Sequence, residues 1–213
     1  TGPNQREIPM TEVEAKELLI DEDTFLTCGV HIGTKQKSKD MEPYVYKVRD
    51  DGLRILNVNM TSEKVVEAAQ FLKDFDPKDV LVVSARQYGW KPATKFAESC
   101  GFECIAGRFT PGRLTNPEMR FFIEPKVIVL TDPAADAQAF REATNIKIPV
   151  IAMCDSNNLT TNVDIVIPGN NKGRRSLALI YWLLSREILR IRGELAADED
   201  LEETIDDFEA PLI

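Results

Sequence analysis

Short apolar runs recur from residue 80 onward and alternate with amphipathic segments. The run at 80–84, Val-Leu-Val-Val-Ser, is continuous, which is typical of a strand buried on both faces of a sheet. Further strands are predicted at 103–106, 127–130, 150–153 and 164–167, and helices at 92–100, 133–143 and 172–191. This alternation predicts an α/β domain with a mainly parallel sheet and helices on both faces.

The residues before this alternation are predicted to form smaller elements. Residues 1–10 are polar and contain two prolines, and we expect a flexible arm there. Helices are predicted at 11–20, 24–28 and 61–75, and a small β-hairpin at 44–58 around Asp50-Asp51-Gly52. The chain thus divides into the arm, a single domain over 11–193 and a C-terminal tail over 194–213.

Charge is unevenly distributed along the chain. The net charge is −9, yet residues 194–213 contain nine acidic residues and no lysine or arginine. Residues 1–24 carry −5, and residues 25–193 carry +5. A local basic patch matters more for phosphate binding than the overall charge. The body of the chain therefore remains a candidate for binding an anionic partner.

Composition argues against a membrane protein and against a disulfide scaffold. Hydrophobic residues make up 43% of the chain, enough for a core, and no apolar run approaches the roughly 18–20 residues of a membrane span. No signal-peptide pattern opens the sequence, so we expect a soluble, cytoplasmic protein. The four cysteines are expected to be buried thiols, and the spacing of Cys100 and Cys104 with a single histidine predicts no metal site.

Basic and amide side chains follow most of the predicted strands of the sheet. Parallel sheets bind ligands beyond the carboxyl ends of their strands, and these groups are ligands for phosphate and sugar. From the residue types alone, an anionic partner and merely solvated loops both remain possible. The residues are Arg86, Gln87, Lys91, Arg108, Arg113, Asn116, Asn157, Lys172, Arg174 and Arg175.

Motifs for catalysis are incomplete. Residues 168–176 loosely resemble a phosphate-binding loop, but the glycine spacing is one residue short and Arg174-Arg175 stands where Lys-Ser/Thr is required. No Gly-x-Gly-x-x-Gly follows a strand, and His31 has no marked catalytic partners. Asp132 is better explained as a helix cap before Pro133. We predict no enzyme, no cofactor and no small-molecule substrate; a free α/β enzyme or ligand-binding domain is the alternative.

Five motifs in fixed order resemble a known family. They lie at 29–35 (Gly-Val-His-Ile-Gly-Thr-Lys), 82–89, 108–116, 148–157 and 167–171. The chain resembles small-subunit ribosomal protein two in its archaeal and eukaryotic branch, and no segment is long enough for the helical hairpin inserted in bacterial members. The resemblance implies a doubly wound, Rossmann/flavodoxin-like fold and a structural constituent of the small ribosomal subunit, with ribosomal RNA and neighbouring ribosomal proteins as partners and no catalysis.

The resemblance also implies which side chains contact RNA. The loops around His31, Arg108 and Asn170 are expected to face RNA or neighbouring proteins. The expected phosphate partners are Lys35, Lys37, Arg108, Arg113, Lys172, Arg174 and Arg175, with Arg86 and Lys91 as further RNA-binding residues. Sugar or base-edge contacts are expected from Gln36, Asn116, Asn157 and Asn170.

The acidic tail carries one apolar stripe. Leu201, Ile205, Phe208 and Leu212 fall at spacings of four, three and four residues, which places them on one face of a helix. We expect this stripe to contact an apolar groove on another ribosomal protein. The alternative is that the stripe folds back onto the chain's own body.

Overall fold

A five-stranded parallel sheet forms the centre of the structure, a computed structural model that describes residues 18–213. The chain order begins with α1 (Glu22–Cys28), β1 (Val45–Val48), β2 (Arg54–Leu56), α2 (Val58–Leu72), β3 (Val80–Ser84), α3 (Gln87–Cys100) and β4 (Glu103–Ala106). It continues with β5 (Val127–Leu130), α4 (Ala137–Asn145), β6 (Val150–Cys154), β7 (Ile165–Pro168), α5 (Arg174–Arg192) and α6 (Ile205–Phe208). Short 3-10 helices span Lys39–Tyr44 and Pro77–Asp79.

The strand order is β4-β3-β5-β6-β7, and every neighbouring pair is parallel. The order reverses between β3 and β5, so the loops after these two strands border the crevice where open α/β sheets bind ligands. Strands β1 and β2 form a separate antiparallel pair. The predicted doubly wound α/β fold with a small hairpin is confirmed.

Hydrophobic side chains cover both faces of the sheet, because β3, β5, β6 and β7 are buried along their whole length. One core contains side chains of α2, α3 and α5. The other contains α4 together with Phe109 and Leu114 of the long connection between β4 and β5. This connection therefore covers the sheet where a helix would otherwise pack.

Several predicted boundaries are shifted. The helix predicted at 11–20 lies outside the described residues except for 18–20, which are not helical. Helix α2 begins at Val58 because the Asn57 side chain accepts a hydrogen bond from the Asn59 amide. Helix α3 begins at Gln87, so Pro92 lies inside it rather than in its first turn. The helix predicted from 133 begins only at Ala137, after a turn at 133–136.

The acidic tail folds back onto the chain's own body, the alternative that the sequence left open. Phe208 has no exposed surface and belongs to the same core as α5, while Leu201 and Ile205 pack against that core. The Trp182 indole donates to the Glu203 carbonyl at 2.9 Å. The prediction that these three side chains bind a groove on another protein is therefore corrected. Their packing against this chain's own core already removes their apolar surface from water. Leu212 remains 77% exposed.

Candidate nucleic-acid interface

Six loops meet at the carboxyl edge of the parallel sheet. The loops after β3, β4, β6 and β7 carry Arg86, Arg108, Asn157 and Lys172, respectively, and the loop after β5 carries Asp132. The sixth loop, at 33–38, comes from the N-terminal part of the chain and is fixed to the loop after β6. There, Ser156 Oγ accepts a hydrogen bond from the Thr34 amide at 2.9 Å, and the Ser156 carbonyl accepts one from the Ser38 amide at 2.8 Å.

Two buried carboxylates connect the loops of this edge. Asp132 accepts a hydrogen bond from Arg86 Nε at 2.7 Å, and Asp155 accepts one from Lys172 Nζ at 3.1 Å. Asn158 links the two residues. Its side-chain nitrogen donates to the Asp132 carboxylate, and its side-chain oxygen accepts from the backbone N–H of Asp155. Burial raises the pKa of Asp155, an effect that the Lys172 ammonium partly offsets. The network stabilises the loops but neutralises both cations.

Asp136 fixes the loops on both sides of the crevice. It is 2% exposed, and its carboxylate accepts hydrogen bonds from the backbone amides of Ala85 at 2.7 Å and of Thr131 and Asp132 at 3.1 Å. The predicted cap, Asp132, instead accepts from the Ala134 amide within the turn that precedes α4. The predicted helix start is wrong because these carboxylates bind loop amides and hold residues 133–136 in a turn.

The connection between β4 and β5 is anchored by Glu142 of α4. This side chain is 3% exposed and accepts hydrogen bonds from the Gly112 and Leu114 amides and from Thr115 Oγ1, each at 3.1 Å. Burial acts to raise the pKa of Glu142, but these bonds and one from Gln138 outweigh it and hold the pKa below the usual value. The loop that carries Arg108, Arg113 and Asn116 is therefore ordered by a carboxylate beneath it.

Replacing Glu142 with alanine is expected to cost about 2–4 kcal/mol of unfolding free energy, because several buried donors lose an ionised acceptor. The contribution should be present above pH 4.5 and disappear as the pH falls through the lowered folded pKa. Urea unfolding across pH 3–7 and hydrogen exchange at the Gly112 and Leu114 amides measure both effects. Glu118→Gln, an exposed change in the same loop, is the control; equal exchange in the two variants would contradict the assignment.

The predicted basic residues fall into a free set and a paired set. Within residues 18–213, the free set forms no ion pair: Lys35, Lys37, Lys91, Arg108 and Arg113. The paired set consists of Arg86, Lys172, Arg174 and Arg175, and its last two members bind the tail. Arg174 lies 2.9 Å from the Glu209 carboxylate and Arg175 lies 3.5 Å from that of Asp206. Sequence alone could not separate these sets, because the partners are distant in the chain.

The predicted amide side chains likewise divide into one that is exposed on its loop and three that form hydrogen bonds within the chain. Gln36 is exposed on the loop at 33–38. Asn170 caps the turn before α5, where its oxygen accepts from the Lys172 and Gly173 amides. Asn157 accepts from Lys172 Nζ, and Asn116 accepts from the Glu118 amide. Three of the four thus have a role in loop geometry.

The remaining candidate groups are the single histidine and the four cysteines. His31 is half-buried, burial lowers its pKa, and its Nδ1 has no partner among the described residues. All four cysteines are free; three are buried, Cys104 is half-buried, and burial raises the pKa of Cys100 to about 12. Residues 18–213 contain no cluster of three metal-ligating side chains. Among their helices, none has the length and apolarity needed to cross a membrane.

Sequence reasoning missed Arg120 and Phe121. Phe121 is 58% exposed, and Arg120 Cζ lies 5.3 Å from the centre of its ring. The apolar run Phe121-Phe122-Ile123 is typical of a core segment, which hid this aromatic side chain. The available signal was an aromatic residue directly following an arginine inside an otherwise basic loop.

Comparison with known proteins identifies close relatives. A family model described as Ribosomal protein S2 matches residues 25–123 and 118–190. The chain is 56% identical to a protein called small ribosomal subunit protein uS2 from Thermoplasma volcanium, over 92% of this chain and 99% of the relative. Proteins of the same name from Thermoplasma acidophilum and Picrophilus torridus are 55% and 51% identical, over 92% of this chain and 99% and 98% of their own lengths.

Proposed function

The chain belongs to the ribosomal protein S2 family, and from this we propose that it binds small-subunit ribosomal RNA at the carboxyl edge of its sheet. It is a structural protein of the small ribosomal subunit and not an enzyme. The observation that carries the proposal is the set of unpaired cations on anchored loops. Lys35 and Lys37 lie exposed on one loop and Arg108 on another, at the same edge.

The unpaired cations are the main phosphate ligands in this proposal. Each can bind a phosphate without first breaking an ion pair, whereas Lys172 would have to leave Asp155 and Asn157. A lysine that exchanges one carboxylate for a phosphate gains little free energy, since both partners are anions. Arg113 contributes from the loop held by Glu142, and Gln36 is the amide best exposed for a sugar or base contact.

The paired cations have a different role in this proposal. Arg174 and Arg175 hold the tail, whereas Arg86 joins the loops after β3 and β5 and Lys172 joins the loops after β6 and β7. Tail acids also pair with Arg186, Arg190 and Lys95. The tail thereby neutralises α5 and its surroundings, so positive potential is concentrated at the carboxyl-edge loops and the β4–β5 connection.

Contact with neighbouring ribosomal proteins is proposed for the end of the tail. Leu212 and Ile213 are 77% and 75% exposed at the chain terminus. Leu201, Ile205 and Phe208 support this contact indirectly, because they anchor the segment that carries the two exposed side chains. Burying two aliphatic side chains would contribute about 3–6 kcal/mol before the costs of association.

Replacing Lys35, Lys37 and Arg108 together with glutamine is expected to lower the slope of log K against log salt concentration by about two to three units. The reason is that three phosphate contacts no longer release counterions. Binding of the full chain to small-subunit ribosomal RNA, measured by filter retention at several salt concentrations, gives this slope.

The matched control replaces Lys73, Lys78 and Lys147 with glutamine. These lysines are exposed at the amino edge of the sheet, where α2 ends and β3 and β6 begin. Their replacement removes the same charge as the first triple variant. The control slope should stay within half a unit of the wild-type value, a margin set by the roughly one unit expected per phosphate contact. If both triple variants lower the slope equally, binding is a diffuse effect of charge and the carboxyl edge has no special role.

A further inference from the structure

One aromatic ring stands out on the connection between β4 and β5. Phe121 is 58% exposed, whereas Phe109 and Leu114 of the same connection are 7% and 3% exposed. Among the described residues of this connection, it is the one large hydrophobic side chain on the surface. The connection therefore buries Phe109 and Leu114 and leaves the Phe121 ring in water.

Two arginines flank this ring. Arg120 Cζ lies 5.3 Å and Arg113 Cζ 5.8 Å from the ring centre. Arg113 Nε also donates to the Phe121 carbonyl at 3.3 Å, and the Arg113 carbonyl accepts from the Ile123 amide at 2.8 Å. Neither guanidinium forms an ion pair within the part of the chain that the structure describes. The backbone at Phe121 is thus fixed, and its ring lies beside two uncompensated positive charges.

We propose that Phe121 stacks on an unpaired base of ribosomal RNA, with Arg113 and Arg120 contacting the adjacent phosphates. Proteins that bind single-stranded RNA stack its bases on aromatic rings and bind its backbone with cations. A protein partner would favour a continuous apolar patch, but this ring is flanked by the guanidinium groups of Arg113 and Arg120. The inference rests on the proposed RNA-binding function and specifies the RNA feature recognised: a nucleotide outside a helix.

The site is ordered before RNA binds. Glu142 accepts hydrogen bonds from Gly112, Leu114 and Thr115. These bonds restrain the loop segment that carries Arg113. A loop whose backbone is already fixed loses less conformational entropy on binding RNA than a mobile one. This favours a specific base contact over a transient encounter.

The test uses the full chain and small-subunit ribosomal RNA, with affinity measured by filter retention at low salt. Phe121→Ala should weaken binding roughly 5- to 100-fold with no change in salt slope, and Phe121→Trp should retain wild-type affinity. Arg120→Gln should lower the salt slope by about one unit. Phe121 and Arg120 are both exposed, so urea unfolding should be unchanged and a folding defect is distinguishable.

Phe121→Leu separates stacking from simple apolar contact. Leucine keeps apolar volume but has no π face, so affinity should fall nearly as far as with alanine. Wild-type affinity in the alanine variant, or in the leucine variant, would overturn the stacking proposal while leaving RNA binding at the carboxyl edge intact. Failure of the wild-type chain to bind this RNA at low salt would instead overturn the proposed function itself.

Discussion

Replacing Phe208 with alanine is expected to lower the free energy of unfolding by about 3–5 kcal/mol, the usual cost of removing a fully buried aromatic ring. The ring has no exposed surface and belongs to the core that α5 shares with α2 and α3. A tail that merely rested on the surface would not produce a loss of this size. Urea unfolding of the full chain, followed by tryptophan fluorescence, measures the change; Trp182 itself bonds to the tail.

The control for Phe208 is Leu212→Ala, four residues further along the same predicted stripe. Because Leu212 is 77% exposed, its replacement should change stability by less than about 0.5 kcal/mol. Equal, small effects in both variants would show that the tail is not part of the core. Removing residues 200–213 should be at least as damaging as Phe208→Ala, since the ion pairs to α5 go with the ring.

Replacing Asp136 with alanine should cost a further large amount, about 3–5 kcal/mol. Three backbone amides at the carboxyl ends of β3 and β5 would lose their common acceptor. The Thr131 amide keeps its bond to the Val83 carbonyl at 3.2 Å, so two donors are left unsatisfied, and each costs about 1–3 kcal/mol. Asparagine, of the same shape, should recover only part of the loss, because its amide nitrogen would face N–H groups. Chemical unfolding gives both free energies.

An exposed aspartate provides the comparison for Asp136. Asp74 lies on the surface after α2, and Asp74→Ala should be nearly neutral. If Asp136→Asn proved as stable as the wild type, the carboxylate would not be the acceptor that joins the two loops. Hydrogen exchange at the Ala85 and Thr131 amides would locate the loosened region.

Strands and their order of appearance were predictable from the sequence for a simple physical reason. A strand buried on both faces must be apolar at every position, and the runs at 80–84 and 127–130 satisfy this without ambiguity. The helix at the end of the domain was equally clear because its apolar stripe is long. The local hydrophobic pattern is sufficient to predict an element that is completely buried and whose contacts are non-specific.

The first residues of helices and the roles of individual side chains were harder to predict from the sequence. Asp132 has the sequence context of a cap, but the structure uses it and Asp136 to bind groups from β3, β5 and the loop after β6. Likewise, Arg174 and Arg175 have the composition of a phosphate site, yet their partners lie more than 30 residues away in the tail. Long-range pairing of charges has no periodic signature in one sequence.

The lack of a sequence signature for long-range contacts also explains which parts of the candidate interface were predictable. Lys35, Lys37 and Arg108 were identified by their residue types and by the family resemblance, and the structure leaves them without ion pairs in residues 18–213. Phe121 was missed because an exposed aromatic and a core aromatic have the same sequence appearance. Its exposure depends on how the β4–β5 connection folds over the sheet, which is set by Glu142, about 20 residues away.

The most direct measurement is a reconstruction of an intact small ribosomal subunit that contains this chain. We predict that the carboxyl edge faces ribosomal RNA, with the cationic groups of Lys35, Lys37 and Arg108 within about 4 Å of phosphate oxygens, the range of an ion pair. Lys73 and Lys78 at the amino edge should lie away from RNA. A subunit in which the amino edge contacts RNA and the carboxyl edge faces solvent would contradict it.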